Sequence, residues 1–321
     1  YQVPNIPHPD SPIGKDEDEN VQIKVWGDKP KFDFPAKDHV ELMLGKDIVD
    51  FERGAKAHGF RGYFLKNDGA RLSWAIWNYA MDFYSQRGFE IMIAPAIVRP
   101  QFLYGTGHLP NDAEDIFKTQ DDDYLAGTAE VPMMAYHSDE ILDFSNGPKK
   151  YLCFSPCYRR EAGSYSKDTK GLIRVHEFFK WEQLVFAPAD QEQSLQILEE
   201  LRGNLEEFIE SLGIPYETVD ACTGDMGQGK IKMYDTNLWV PSQEKYREIS
   251  SASYFGTFQC RRLNTRYRNH EGKLEFADSL NSTAIPTPRS LVALVENFQQ
   301  VDGSIKVPEV LVPYFGKSVI S

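Results

Sequence analysis

The sequence predicts an α+β domain in which one antiparallel sheet is flanked by helices, and three observations carry that prediction. Strand-like runs recur over 89–94, 151–158, 175–186, 246–250 and 257–268. Two long helical patterns, over 69–88 and 190–212, are interspersed among them instead of alternating with each strand. The chain carries no internal repeat, Walker loop or GxGxxG fingerprint.

Taken in order, residues 1–60 open with "YQVPNIPHPDSPIGKDEDEN", rich in Pro, Asp and Lys. Such a stretch predicts an extended segment with little core of its own, leading into a domain over 61–321. Over 69–88, Leu72, Ile76, Tyr79 and Phe83 fall at helical spacing, and Gly88 is placed to end the helix. "FEIMIAP" reads as a strand stopped by Pro95. For the helix over 190–212, Asp190 and Gln193 are spaced as a capping box, with Leu195, Leu198, Leu205, Phe208 and Leu212 along one face. Gly213 and Pro215 end it. A closing helix starts at Pro288 in "PRSLVALVENFQQ".

The chain has 321 residues, 41% of them hydrophobic, which is enough for a substantial core. Its longest apolar runs, Ile91 to Ala94 and Leu291 to Val295, fall far short of the roughly 20 residues a bilayer span needs. No charged-then-apolar leader opens the sequence, so its four cysteines predict a reducing, cytoplasmic setting and no membrane partner. Cys153 and Cys157 have no His or Cys neighbours at zinc-site spacing and read as structural strand residues. A net charge of −13 argues against a broad nucleic-acid surface. Within it, the stretch 159–174 sets Arg159, Arg160, Lys167, Lys170 and Arg174 against Glu161 and Asp168. That basic island is either a solvated turn or an anion site.

In "RVHEFFKWEQLVF", residues 174–186, alternation places Arg174, His176, Phe178, Lys180 and Glu182 on one face, with Val175, Phe179, Trp181 and Gln183 on the other. Paired as a hairpin with "CYRREAG", this strand joins Arg159 and Glu161 to the first face. An arginine fork grips a phosphate or carboxylate, an aromatic stacks on a base, and a carboxylate accepts from an exocyclic amine. These groups suit a nucleotide; a surface hairpin laced with cross-strand ion pairs is the other reading, and the hairpin alone leaves both open.

"YRREAGSYSKDTKGLIRVHEFFKWE" resembles motif 2 of the class II aminoacyl-tRNA synthetases in its seryl form. "GARLSWAIWNYAMDFYSQRGFEIMIAP" resembles motif 1 with its proline at Pro95, and "LNSTAIPTPRSLVALVENFQQVDGSIKVPEVLVPYFG" resembles motif 3 with its arginine at Arg289. The seryl-type segments "TGHLP" (106–110), "GTAEVP" (127–132) and "REISSAS" (247–253) are also present, so the resemblance spans essentially the whole chain. It implies a serine–tRNA ligase activity using ATP and magnesium, with L-serine and serine tRNA as substrates, in a homodimer.

Carried over by position, the resemblance implies that Arg159 binds the α-phosphate and the serine carboxylate, Glu161 accepts from the adenine amine and Phe178 stacks on the base. Arg174 and Arg289 would hold the outer phosphates, and Glu248 with Ser251 the magnesium. Thr128 and Glu182 would receive the serine ammonium, while Glu182 and Thr283, helped by Asn281, read its hydroxyl. Lys180 fits a role near the reacting carboxylate. The sequence departs from the family at Ser282, where glycine is usual, and at Pro286, where a small apolar residue is usual. No heptads appear in 1–60 to form the family's tRNA-binding arm, so an armless homologue charging a carrier protein, or a non-catalytic dimeric paralogue, stay open as alternatives.

Overall fold

The computed structural model describes residues 3–162, 168 and 170–321. Lys167 of the basic island, with most of the turn joining the motif 2 strands, lies outside the described residues. Among the described residues, eight strands build the main sheet: β1 (Val21–Trp26), β2 (Glu90–Ile93), β3 (Lys149–Tyr158), β4 (Glu177–Ala187), β5 (Tyr216–Asp220), β6 (Lys232–Val240), β7 (Lys245–Gly256) and β8 (Asp278–Thr287). Their spatial order is β1-β5-β6-β7-β8-β4-β3-β2. Every neighbouring pair is antiparallel except β2 and β3, which run parallel at one edge. The antiparallel α+β architecture expected from the sequence is therefore the one observed.

The helices that cover this sheet follow from their apolar faces. In chain order they include α1 (His39–Gly45), α2 (Phe51–His58), α3 (Asn67–Ser85), α4 (Gln191–Leu212), α5 (Phe258–Leu263) and α6 (Arg289–Asn297). Asp190 caps α4 by accepting from the Gln193 amide at 3.1 Å, and Gly213 closes it at φ 72°. Along α4, Leu198, Leu205, Phe208 and Leu212 are buried in the same core as Leu72, Ile76 and Tyr84 of α3. Tyr79 stacks on Phe208 with ring centroids 5.1 Å apart. Cutting Phe208 to alanine would cost about 3–5 kcal/mol, since a close-packed site cannot collapse around the void. Gly69 has a steric reason: a Cβ there would sit 2.3 Å from the Ile48 carbonyl oxygen, so a side chain would push α3 off its neighbour.

Several expectations need correction. The stretch 257–268 holds the helix α5 and then a three-residue strand, Arg266–Arg268, instead of one long strand. A six-residue segment offers too few positions to separate a period of 3.6 from a period of 2. Residues 1–60 do run extended at first, but β1 joins the main sheet beside β5, and Leu42, Met43, Ile48 and Val49 are buried in the main core. Strand β4 begins at Glu177, not at 175, and β7 reaches Gly256 instead of stopping at 250. Strands β5, β6 and β8 carry no clear hydrophobic alternation and were not anticipated; β8 in particular is buried along its whole length yet reads "DSLNSTAIPT". Of the five aromatic residues in α3, Trp77 and Tyr84 are buried and Tyr79 and Phe83 half-buried in this chain's own core, which leaves Trp74 exposed.

Among the described residues no helix is long and apolar enough to cross a membrane. All four cysteines are free and buried.

Candidate active site

A cavity of about 410 Å³ opens over the centre of the sheet, and all twelve candidate residues line it. They arrive from separate stretches: Thr128 just ahead of the helix Glu130–Tyr136, Arg159 to Arg174 around the motif 2 turn, Phe178 to Glu182 on β4, Glu248 and Ser251 on β7, Asn281 and Thr283 on β8, and Arg289 at the start of α6. Register brings them together. Glu182 lies opposite Thr283, and Lys180 opposite Pro286, across the β4–β8 ladder.

Alternation along β4 holds where β4 is a strand. Phe178, Lys180 and Glu182 face the cavity, while Phe179 and Trp181 join the core and Gln183 donates to the Leu201 carbonyl of α4 at 3.1 Å. Upstream of Glu177 the ladder has ended, and the alternation fails with it. Val175, expected on the opposite face, lines the cavity, and His176, expected on the cavity face, packs instead beside His58 and Phe117. Arg174 lines the cavity from outside the strand.

The basic end of the cavity is organised by arginines. Arg159 sits over the Phe178 ring, its Cζ 5.3 Å from the centroid. Gly127 lies close beside it: a Cβ there would sit 3.3 Å from the Tyr158 carbonyl oxygen and 3.4 Å from Arg159 Cγ. Arg174 Nη1 donates to Glu161 at 2.5 Å, and Arg174 and Arg247 both pair with Asp168. Glu161 adopts a left-handed backbone at φ 54°, a conformation of order 1 kcal/mol above the ordinary regions for a residue with a Cβ. Arg289 donates from Nε to the Ile173 carbonyl at 2.8 Å and from Nη1 to the Glu248 carbonyl at 2.6 Å. Burial pulls its guanidinium below the usual arginine range, partly offset by the Glu248 charge.

The other end is a buried polar cluster. Lys180 forms an ion pair with Glu182 and donates to Thr128 Oγ1 at 3.1 Å and Thr283 Oγ1 at 3.2 Å. Thr128 Oγ1 lies 3.2 Å from Glu182 Oε2. Burial pushes the Glu182 carboxyl above its ordinary value, with Lys180 opposing the shift. Asn281 and Thr283 face the cavity, whereas Ser282, between them, points the other way and sits 3.4 Å from the Ser250 hydroxyl. The serine at position 282 therefore leaves the lining unchanged, while Pro286 is part of the lining.

On β7, Glu248 and Ser251 offer a carboxylate and a hydroxyl, the hard oxygen donors that suit a magnesium ion completing its shell with phosphates and water. Ser251 lies opposite Asp235 of β6. The Asp235 carboxyl is buried with Oδ1 lacking a hydrogen-bond partner among the described residues, and burial and then the Glu248 charge raise its pKa to about 7. A cation at this site would compensate that arrangement, so the residues fit the ion.

Three further residues escaped assignment from the sequence. Glu130 is buried in the lining and accepts from Gln259 Nε2, and burial raises its carboxyl. His108 also lines the cavity, with Nδ1 2.9 Å from Thr106 Oγ1, and burial lowers its pKa to about 4. Both lie in segments the sequence singles out, "GTAEVP" and "TGHLP". Asp235 gave no such signal, because only strand register sets it beside Ser251.

With this geometry in place, comparison with known proteins is specific. Residues 116–298 match the family described as tRNA synthetase class II core domain (G, H, P, S and T). The serine–tRNA ligase of Deinococcus radiodurans is 48% identical over 316 residues, covering 98% of this chain and 74% of that protein. That of Kosmotoga olearia is 45% identical over 320 residues, covering 99% and 75%. The crystal structure of seryl-tRNA synthetase from Pyrococcus horikoshii complexed with ATP superimposes with a TM-score of 0.95 at 40% identity, covering 99% of this chain and 76% of that one.

Proposed function

The chain belongs to the seryl-tRNA synthetase family of the class II aminoacyl-tRNA synthetases, and from that premise we propose how its cavity activates serine with ATP and passes the seryl group to tRNA. The observation that carries the residue assignments is the division of one cavity into an arginine-rich end and a buried Thr128–Lys180–Glu182–Thr283 end. A triphosphate suits the first and a small zwitterion with a hydroxyl suits the second.

In the first step a carboxylate oxygen of serine attacks the α-phosphorus of ATP, the bond to the bridging oxygen breaks, and pyrophosphate leaves. Positioning and neutralisation of charge account for the acceleration, with no covalent enzyme intermediate. Arg159, over the Phe178 ring, holds the α-phosphate against the serine carboxylate. Phe178 stacks on adenine and Glu161 accepts from its amine, while Arg174 and Arg289 hold the outer phosphates. Because Arg289 spends Nε and Nη1 on the carbonyls of Ile173 and Glu248, its remaining nitrogen is held in a fixed direction. Glu248 and Ser251 would hold a magnesium ion, which supplies charge neutralisation on the phosphates when bound. Thr128 and Glu182 receive the serine ammonium, and Glu182, Thr283 and Asn281 read the hydroxyl.

In the second step a terminal ribose hydroxyl of serine tRNA attacks the adenylate carbonyl and AMP leaves. We assign catalysis to residues 61–321, with 1–60 as the segment leading into them, and place the enzyme in the cytoplasm, a setting the four free cysteines suit. A homodimer completes the proposal.

Serine-dependent ATP–pyrophosphate exchange tests the first step, and charging of serine tRNA the second. Arg159→Ala should reduce exchange by roughly 30- to 5,000-fold, the equivalent of about 2–5 kcal/mol for removing one partner of a buried charge-assisted contact. Near-normal exchange in that variant would mean that Arg159 does not hold the reacting groups.

A further inference from the structure

We propose that the Lys180 ammonium is a built-in stand-in for the ammonium of serine, filling the amino-acid end of the cavity until substrate displaces it; this rests on the serine-site assignment above. An alkylammonium has three N–H donors. Those of Lys180 meet three acceptors: Glu182, Thr128 Oγ1 at 3.1 Å and Thr283 Oγ1 at 3.2 Å. These are the same three side chains assigned to the ammonium and hydroxyl of serine. Lys180 and Glu182 are both buried, 6% and 2% exposed, so water supplies little of their solvation.

The stand-in solves a physical problem of the empty site. A carboxylate buried as deeply as Glu182 is costly without a cation, and an amino-acid pocket must keep such a carboxylate ready. Lys180, two residues away on the same face of β4, supplies that cation from within the chain. Two ammonium groups cannot share these acceptors at contact distance, because in a buried site their repulsion is poorly screened. Serine binding is therefore an exchange of one ammonium for another. The flexible stem lets the lysine carry its charge along the cavity toward Arg159, where the substrate carboxylate and α-phosphate react. Occupation of the serine site thus moves a positive charge to the place where negative charge must be neutralised.

The test uses protein labelled with 15N at lysine Nζ, together with Lys180→Met, which keeps an unbranched apolar stem. The resonance missing from Lys180→Met identifies the Lys180 ammonium in the wild-type spectrum. Adding serine without ATP should shift that resonance and speed its hydrogen exchange, whereas glycerol should leave it alone. By calorimetry Lys180→Met should bind serine at least about threefold more tightly than wild type, while its pyrophosphate exchange at saturating serine falls at least about tenfold. Serine binding that leaves the Lys180 resonance unmoved, or a variant that binds serine more weakly, would overturn the displacement and leave the serine-site assignment standing. Wild-type protein that binds no serine at all would overturn both.

Discussion

The Glu161 carboxylate accepts from Arg174 Nη1 at 2.5 Å, so the residue assigned to the adenine amine and one assigned to the outer phosphates hold each other across the mouth of the motif 2 turn. Asp168 braces the same arginine, and it also pairs with Arg247. The nucleotide end of the cavity is preorganised by ion pairs among the groups that would contact ATP. Ligand binding there redirects existing contacts more than it creates an ordered site.

This relationship predicts non-additivity. Arg174→Ala and Glu161→Ala should each weaken ATP binding, and the double variant should be weaker by less than the sum of the two. A coupling of about 0.5–3 kcal/mol is the range for directly contacting charged groups. ATP titration by calorimetry on the four proteins measures it, and strict additivity would show that the two residues act independently.

Buried acceptors also set amino-acid choice. A site built to hydrogen-bond a substrate hydroxyl rejects the analogue lacking it by about 10⁴-fold, since its polar groups are then left unpaired. Alanine should therefore support exchange at a kcat/KM about 10⁴-fold below that of serine, and threonine should be disfavoured by its added methyl. Thr283→Val should lower kcat/KM for serine by roughly 5- to 150-fold, corresponding to about 1–3 kcal/mol for an unsatisfied buried group. Comparable rates for serine and alanine in the wild-type protein would refute the assignment of the hydroxyl pocket.

His108 predicts a pH dependence of stability. Burial lowers its pKa to about 4, while an unfolded histidine titrates near 6.5. Between these values the unfolded chain binds the proton and the folded chain does not, so this contribution to stability is present above about pH 6.5 and is lost as pH falls toward 4. The ring keeps part of its surface open to the cavity, which limits the effect to about 1–3 kcal/mol. Urea midpoints measured from pH 7.5 to 4.5 should fall more steeply for wild type than for His108→Gln. Identical slopes would show that His108 titrates as a solvated residue.

The proposed homodimer has a candidate surface. Trp74 is 60% exposed on α3, and Phe64, 50% exposed, lines the same groove beside it. Contiguous exposed aromatics of this kind mark association surfaces. Light scattering at micromolar concentration should give twice the chain mass, and Trp74→Glu should shift the population toward the chain mass. A monomeric wild-type protein would remove the dimer.

The sequence by itself determined the helices α3 and α4 and the β3–β4 hairpin, because each rests on local chemistry; the twelve candidate residues were picked out by the resemblance of its motif segments to a family. Apolar spacing, a capping aspartate at Asp190 and a terminating Gly213 act within one or two turns of chain, and motif segments keep their residues in a fixed order. Strand β8 was invisible to hydropathy for the opposite reason. Its polar residues are buried because they serve partners distant in the chain: Asp278 receives the hydroxyls of Ser194 and Tyr254, and Asn281 and Thr283 face the cavity. Only tertiary register could set Thr283 against Glu182, or Asp235 beside Ser251. The same is true of Lys180. Its sequence neighbours placed it on the cavity face, but that its ammonium occupies the cluster of Thr128, Glu182 and Thr283 was decided by three separate stretches meeting in a space too dry to leave a carboxylate unpaired.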